Sequence, residues 1–409
     1  MSDFFQPGVI TTLHKLGDDD GTRLEADLRS FRPYRPVGLV LPALYSEFET
    51  PAMKVICDEL RDVDYLGRIV VAIGKCTYDE YMRARNFFDG FRTPVTAIWV
   101  EDPRIEALLE LLKSEGIRTG EYGKGRTCWL AYGYLLAAGD VDVIALHDCD
   151  ILNYTRRMLC RLVYPVAHPN LGFEFSKAYY ARISDRMHGH VTRLFFSPVV
   201  RAIQAMKEEN PYLRFLDSFR YALSGEFAMD ADLARVNRIP SDWGLEVGVL
   251  SEIYRNCSIG RICQVDIADN YEHKHQDLSP EDAARGLRRM TSDIAKHLFR
   301  TLAEQGTVLT TDHFRTLEVF YTRFAEDTVR RYYADAVING LEFDLHQENL
   351  ALHAFAHSIR DAAKEFTADP MSLPQISNWN RVLSAIPDFY SRLLKATSDM
   401  QVPGTGQGR

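Results

Sequence analysis

The chain has 409 residues, 46% of them hydrophobic and 26% charged, with a formal net charge of −9. This is room for a large core, and the acidic balance disfavours the broad basic surface that nonspecific nucleic-acid binding needs. No stretch approaches the roughly 20 apolar residues that span a bilayer, Met1 to Leu16 lacks the basic start and apolar run of a secretory leader, and the seven cysteines are scattered without a CxxC pair, so no disulfide framework or structural zinc is expected and the reducing cytoplasm is.

Residues 1–35 read as an irregular arm with one short helix, in which Asp18-Asp19-Asp20-Gly21 is a solvated turn, and Pro33 and Pro36 mark the entry to a strand. Apolar runs predict strands over Val37–Leu44, Arg68–Ile73, Pro94–Val100 and Val141–Leu146, and helical spacing predicts helices over Pro51–Val63, Thr77–Phe88, Pro103–Ser114 and Thr127–Ala138. Strands alternating with helices of about a dozen residues make an α/β unit with a parallel sheet, whose ligands sit at the carboxyl ends of the strands. Beyond Ile151 the alternation weakens: Gly172–Tyr180 and Ile262–Ile267 read as strands, and Val191–Met206 and Leu245–Tyr254 as helices. From about residue 279 the pattern is helical, with Ser279-Pro280-Glu281-Asp282 as a start signal, and Val402 to Arg409 read as a disordered tail.

The chemistry concentrates where the fourth strand ends. Val143 to His147 runs directly into Asp148-Cys149-Asp150, and carboxylates two residues apart on an extended chain point to the same side. Such a pair binds a hard divalent cation, Mg2+ or Mn2+, which would bridge the phosphates of a nucleotide sugar; the plainer alternative is two solvated loop aspartates. Gly123-Lys124-Gly125 precedes a helix and offers backbone and a positive charge to a phosphate, without the spacing of a Walker A loop, or is a surface turn. In Tyr271-Glu272-His273-Lys274-His275, His273 is the favoured third metal ligand. Glu246, opening a helix after Gly244, can meet sugar hydroxyls or serve as a helix-start carboxylate, and Ser224-Gly225-Glu226 offers a similar choice. Arg182, Arg186, His188, His190 and Arg193 form a cationic cluster suited to a small anionic acceptor, or to a solvated helix start.

Together these residues resemble the glucosyl-3-phosphoglycerate synthase family, retaining glycosyltransferases of the GT-A fold related to mannosyl-3-phosphoglycerate and mannosylglycerate synthases, over about residues 36–280. The resemblance implies a GT-A Rossmann-like sheet with a helical C-terminal extension. It places Pro42, Ala43, Leu44 and Glu47 on the nucleotide, with Gly74 standing where the family usually binds the base through an Asp-Ser or similar pair. It also places Gly123 and Lys124 near the diphosphate, Asp148, Asp150 and His273 on the metal, and Glu246 at the sugar. The acceptor loop maps onto Gly189, His190, Val191 and Thr192, with His190 in place of the family's arginine. Asp150, Glu246 and Lys124 are the residues implied to carry catalysis.

The domains implied are the arm (1–35), a catalytic domain (36–278) with a nucleotide-sugar half (36–151) and an acceptor half (152–278), a helical region (279–401) and a tail (402–409). The expected activity moves glucose from UDP-glucose to 3-phosphoglycerate or glycerate, in a cytoplasmic homodimer that binds neither nucleic acid nor membrane. Mannosyl transfer from GDP-mannose, a non-catalytic nucleotide-sugar-binding protein, and a nucleotidyltransferase are the alternatives; the last is disfavoured because Leu44 to Glu49 has neither the glycine nor the lysine of a triphosphate-cradling loop.

Overall fold

A computed structural model describes Gln6 and residues 8–17, 20–206, 210–272, 286–372 and 375–401. The elements run β1 (Thr11–Leu13), α1 (Thr22–Phe31), β2 (Val37–Leu44), α2 (Pro51–Leu60), β3 (Leu66–Gly74), α3 (Tyr78–Arg85), β4 (Val95–Trp99), α4 (Pro103–Ser114), α5 (Lys124–Ala138), β5 (Val143–Leu146), α6 (Arg156–Ala167) and β6 (Phe175–Tyr180). A π-helical turn, Val191–Phe196, leads into α7 (Ser197–Met206), followed by α8 (Pro211–Asp217), β7 (Phe227–Asp230), α9 (Ala231–Val236), α10 (Leu245–Asn256) and β8 (Ile262–Ala268). The helical region holds α11 (Gly286–Glu304), α12 (Thr311–Asn339), α13 (Leu345–Ala368), α14 (Trp379–Ala385) and α15 (Phe389–Gln401).

Local chemistry explains many of the boundaries. Thr77 and Glu80 close a capping box at α3, and Asp102 accepts a hydrogen bond from the Arg104 N–H with Pro103 at the first helical position of α4. Helix α5 stops at Gly139, which takes the left-handed φ of 66°.

The eight strands form one sheet in the order β1-β8-β6-β7-β5-β2-β3-β4. Two expectations are corrected here. The sheet is mixed, because β7 lies antiparallel between β5 and β6, pairing Leu146 with Phe227 and Lys177 with Phe227. The N-terminal arm also joins the sheet, its Thr11–Leu13 pairing in parallel with Cys263–Val265 at the edge. The antiparallel insertion matters chemically. The carboxyl ends of β2, β3, β5, β6 and β8 open on one edge of the sheet, and β7 brings its amino end, preceded by Glu226, to that same edge.

One apolar core on the α5 side of the sheet continues into the helical region, joining Val40, Trp129 and Leu146 to Phe299, Tyr321, Phe355 and Trp379. Trp379 stacks on Trp129 with ring centroids 4.1 Å apart. The other face packs α2, α3 and α6 around Leu39, Ile69 and Val143. Among the described residues no helix is long and apolar enough to cross a membrane, and the seven cysteines are free.

Candidate active site

Three of the predicted motifs meet at one ammonium group. Lys124 is the first residue of α5, and its Nζ lies 2.7 Å from Asp148 Oδ1 and 3.1 Å from Glu246 Oε1. The Gly-Lys-Gly segment is thus the first turn of the helix rather than a loop ahead of it. That turn is pressed against the loop before α10: a Cβ on Gly125 would stand 1.8 Å from the Pro240 carbonyl oxygen. Only glycine permits this approach, which delivers Lys124 to the aspartate. Glu246 is the second residue of α10, whose leading turn is pinned from the helical region by His297, with Nε2 2.9 Å from Asp242 Oδ1.

The carboxylates crowd. Asp148 is half-buried; burial raises its carboxyl to about 6, Lys124 opposes the rise, and Glu226 and Asp150 add to it. Burial likewise raises Glu47 to about 8, the Leu44 N–H it accepts at 3.0 Å working against the rise and Asp150 and Asp148 with it. Burial works against the charge on Lys124, yet Asp148 and Glu246 hold its pKa well above the ordinary lysine value, so it stays protonated. A pocket in which desolvated carboxylates repel one another is one that a divalent cation relieves, and their oxygens suit a hard ion. Among the described residues no group of three His, Cys, Asp or Glu side chains forms a metal-binding cluster. His273, the expected third ligand, lies outside the described residues, as do Ser279 to Asp282, Asp18 and Asp19, and residues 402–409. The chain approaching position 273 is nonetheless held at the aspartate loop: the Leu152 N–H donates to the Glu272 carbonyl at 2.7 Å, and the Glu272 N–H to Asn153 Oδ1 at 3.0 Å.

Behind Asp148 stands a layer that sequence reasoning largely missed. Glu226, fully buried, accepts from the Tyr180 hydroxyl at 2.7 Å and the Tyr271 hydroxyl at 2.5 Å, and the two rings stack 3.8 Å apart. Gly225 lies so close that a Cβ there would stand 2.2 Å from Asp148 Oδ2. Lys177, also fully buried, donates to the Ser224 carbonyl, and burial lowers its pKa to about 8. A lysine inside the apolar run Phe175–Tyr180 was the available signal. His147 is buried with neither ring nitrogen partnered among the described residues, and burial lowers its pKa to about 4, so it is neutral.

Pro42, Ala43 and Leu44 end β2 beside Ile73 and Gly74 of β3, at the same sheet edge. In the segment expected to meet the acceptor, Gly189 takes a left-handed φ of 78° before the π-helical turn, in which Val191 and Thr192 are buried. The cationic cluster is mostly neutralised within the chain. Arg193 donates twice to Glu348 at 3.0 Å, His190 Nε2 lies 3.1 Å from the same carboxylate, and Arg186 pairs with Asp185 and Glu342. His190 is therefore occupied by α13. His188 Nε2 lies 2.7 Å from Ser184 Oγ, and Arg182 donates to the Tyr221 hydroxyl at 3.0 Å.

No protein-family model matches the chain. The glucosyl-3-phosphoglycerate synthase of Persephonella marina is 46% identical over 98% of this chain and 99% of its own length. That of Methanococcoides burtonii is 38% identical over 96% of this chain and 97% of its own. The Mycobacterium tuberculosis glucosyl-3-phosphoglycerate synthase, solved with Mn2+, UDP-glucose and phosphoglyceric acid, shares the fold with a TM-score of 0.52 at 22% identity, covering 73% of this chain and 89% of that one. With near-full-length relatives at this identity, and with the Lys124, Asp148 and Glu246 motifs converging at the strand ends, the chain belongs to the glucosyl-3-phosphoglycerate synthase family of metal-dependent glycosyltransferases.

Proposed function

We propose that the chain transfers glucose from UDP-glucose to 3-phosphoglycerate with retention at the anomeric carbon. The observation that carries this is the Lys124 bridge between Asp148 and Glu246 at the mouth of the sheet, which supports one shared site for the aspartate pair and the helix-start carboxylate. The names of the two long relatives support the product, and the UDP-glucose in the M. tuberculosis complex supports the donor.

Asp148 and Asp150 would hold Mg2+ or Mn2+, with His273 as the third ligand the family resemblance implies; when bound, the ion would neutralise charge on the departing diphosphate. Lys124 stays protonated and adds a fixed positive charge at the start of α5, where the helix N-terminus also favours phosphate oxygens. Pro42, Ala43, Leu44, Glu47, Gly74 and Gly123 line the nucleotide side at the ends of β2 and β3 and the start of α5. Glu246 accepts hydroxyls of the transferred sugar and so orients its anomeric carbon. Gly189, His190, Val191 and Thr192 border the acceptor, whose hydroxyl attacks from the face the diphosphate leaves, its proton passing to the departing phosphate oxygen. Positioning and charge stabilisation carry the rate.

The reading extends to the catalytic domain at 36–278 with its two halves and the helical region at 279–401, and to a cytoplasmic homodimer. A matrix of UDP-glucose and GDP-mannose against 3-phosphoglycerate and D-glycerate, with product masses, tests the donor and acceptor. Asp148→Ala should abolish turnover in the presence of Mg2+ or Mn2+. Mannosyl product alone, or full turnover by that variant, overturns the proposal.

A further inference from the structure

Arg182 differs from Arg186, His190 and Arg193 around the acceptor loop. Arg186, His190 and Arg193 each face a carboxylate of this chain. Arg182 is half-buried and donates to the Tyr221 hydroxyl, and its Nε is buried with no partner among the described residues. The groups it faces are the phenols of Tyr221, Tyr180 and Tyr271. The nearby carboxylate of Glu226 is occupied by the Tyr180 and Tyr271 hydroxyls. A guanidinium withdrawn from water and surrounded by phenols keeps its full charge and, among the described residues, lacks an oxyanion, the group its planar fork matches best.

Its location says where that oxyanion belongs. The His188 N–H donates to the Arg182 carbonyl at 2.9 Å, and Ile183 bridges Met187, so a tight hairpin returns the chain to Gly189 beside Arg182. Tyr221, which receives the Arg182 hydrogen bond, has its hydroxyl 3.2 Å from where a Gly189 Cβ would stand. On the other flank, Tyr180 and Tyr271 lead through Glu226 to Gly225, which touches Asp148. Arg182 thus stands between the acceptor loop and the aspartate pair.

We propose that Arg182 binds the anionic end of the acceptor, a carboxylate or phosphate oxyanion, a role His190 cannot fill while held by Glu348. This inference rests on the acceptor-loop assignment above.

The test uses the full-length enzyme with saturating UDP-glucose and Mn2+, and three acceptors: 3-phosphoglycerate, D-glycerate and glycerol 3-phosphate. Arg182→Met should raise the KM for 3-phosphoglycerate roughly 10- to 100-fold, the loss of a charge-assisted bidentate contact, and leave the KM for UDP-glucose within about twofold. Arg182→Lys, which keeps the charge without the fork, should fall between. Loss on the two phosphorylated acceptors alone assigns the phosphate to Arg182. Loss on the two carboxylate acceptors alone assigns the carboxylate. Unchanged acceptor KM values, or an equal rise in the donor KM, overturn the inference. A wild-type enzyme that glucosylates none of the three acceptors instead overturns the functional reading on which it rests. Should Arg182→Met fail to fold, Arg182→Lys and Tyr221→Phe carry the same comparison, with a smaller expected rise in acceptor KM.

Discussion

Replacing Glu348 with glutamine tests how the helical region holds His190 and Arg193. Glu348 is 6% exposed and accepts two Arg193 hydrogen bonds at 3.0 Å, with His190 at 3.1 Å. Burial alone would raise its pKa, but the hydrogen bonds and charges of His190 and Arg193 win and lower it from 4.5 to about 2. A depressed carboxylate contributes stability that is fully present above its unfolded pKa and is lost as pH falls through the folded one. The drop corresponds to roughly 3 kcal/mol, held above about pH 4.5 and surrendered by about pH 2. Glutamine keeps the shape and cannot neutralise Arg193, and breaking a buried pair on one side costs about 3–5 kcal/mol. Urea unfolding followed by circular dichroism should therefore place Glu348→Gln about 3 kcal/mol below the wild type at pH 7. The gap should narrow steadily as pH falls below about 4.5, because the wild type then loses the same charge. A gap under about 1 kcal/mol at pH 7, the value of an exposed pair, or one that stays constant down to pH 3, would refute the reasoning.

Other outcomes follow from close approaches and buried hydroxyls. Gly125→Ala must drive the start of α5 away from the Pro240 carbonyl, displacing Lys124; the KM for UDP-glucose should rise about tenfold, equivalent to about 1.4 kcal/mol, and an unchanged KM would count against the placement of Lys124 at the diphosphate. Gly133→Ala would put a Cβ 2.0 Å from the Trp379 ring and should lower unfolding stability by about 1–3 kcal/mol, an overpacking cost measurable by urea titration. Tyr271→Phe withdraws one of the two hydroxyl donors to buried Glu226 and should cost about 1–3 kcal/mol of stability; a fully stable variant would show that the stacked pair does not hold that carboxylate.

Much of the candidate site was legible in the sequence because its signals are local. An apolar run ending in Asp148-Cys149-Asp150, glycines flanking Lys124, and Glu246 just inside a helix each declare themselves within a few residues, and α4 was readable to its ends from Pro103 and its helical spacing. The alternation of strand and helix through Leu146 likewise set the first half of the sheet. What it could not specify was carried by contacts between distant segments. The four residues of β7 are too few to show a period, and their antiparallel insertion, which brings Glu226 to the edge that carries Asp148, depends on the order of the whole sheet. The pairing of Thr11–Leu13 with β8, the Tyr180–Tyr271 clamp on Glu226, and the capture of His190 and Arg193 by Glu348 join residues far apart in the chain. Periodicity and capping report the backbone within a turn or a strand. Which charges end up buried against which partners is settled only when the sheet closes on its helices and water is driven out, and that decided that Arg182, beside Gly189, meets a phenol where Arg193 meets a carboxylate.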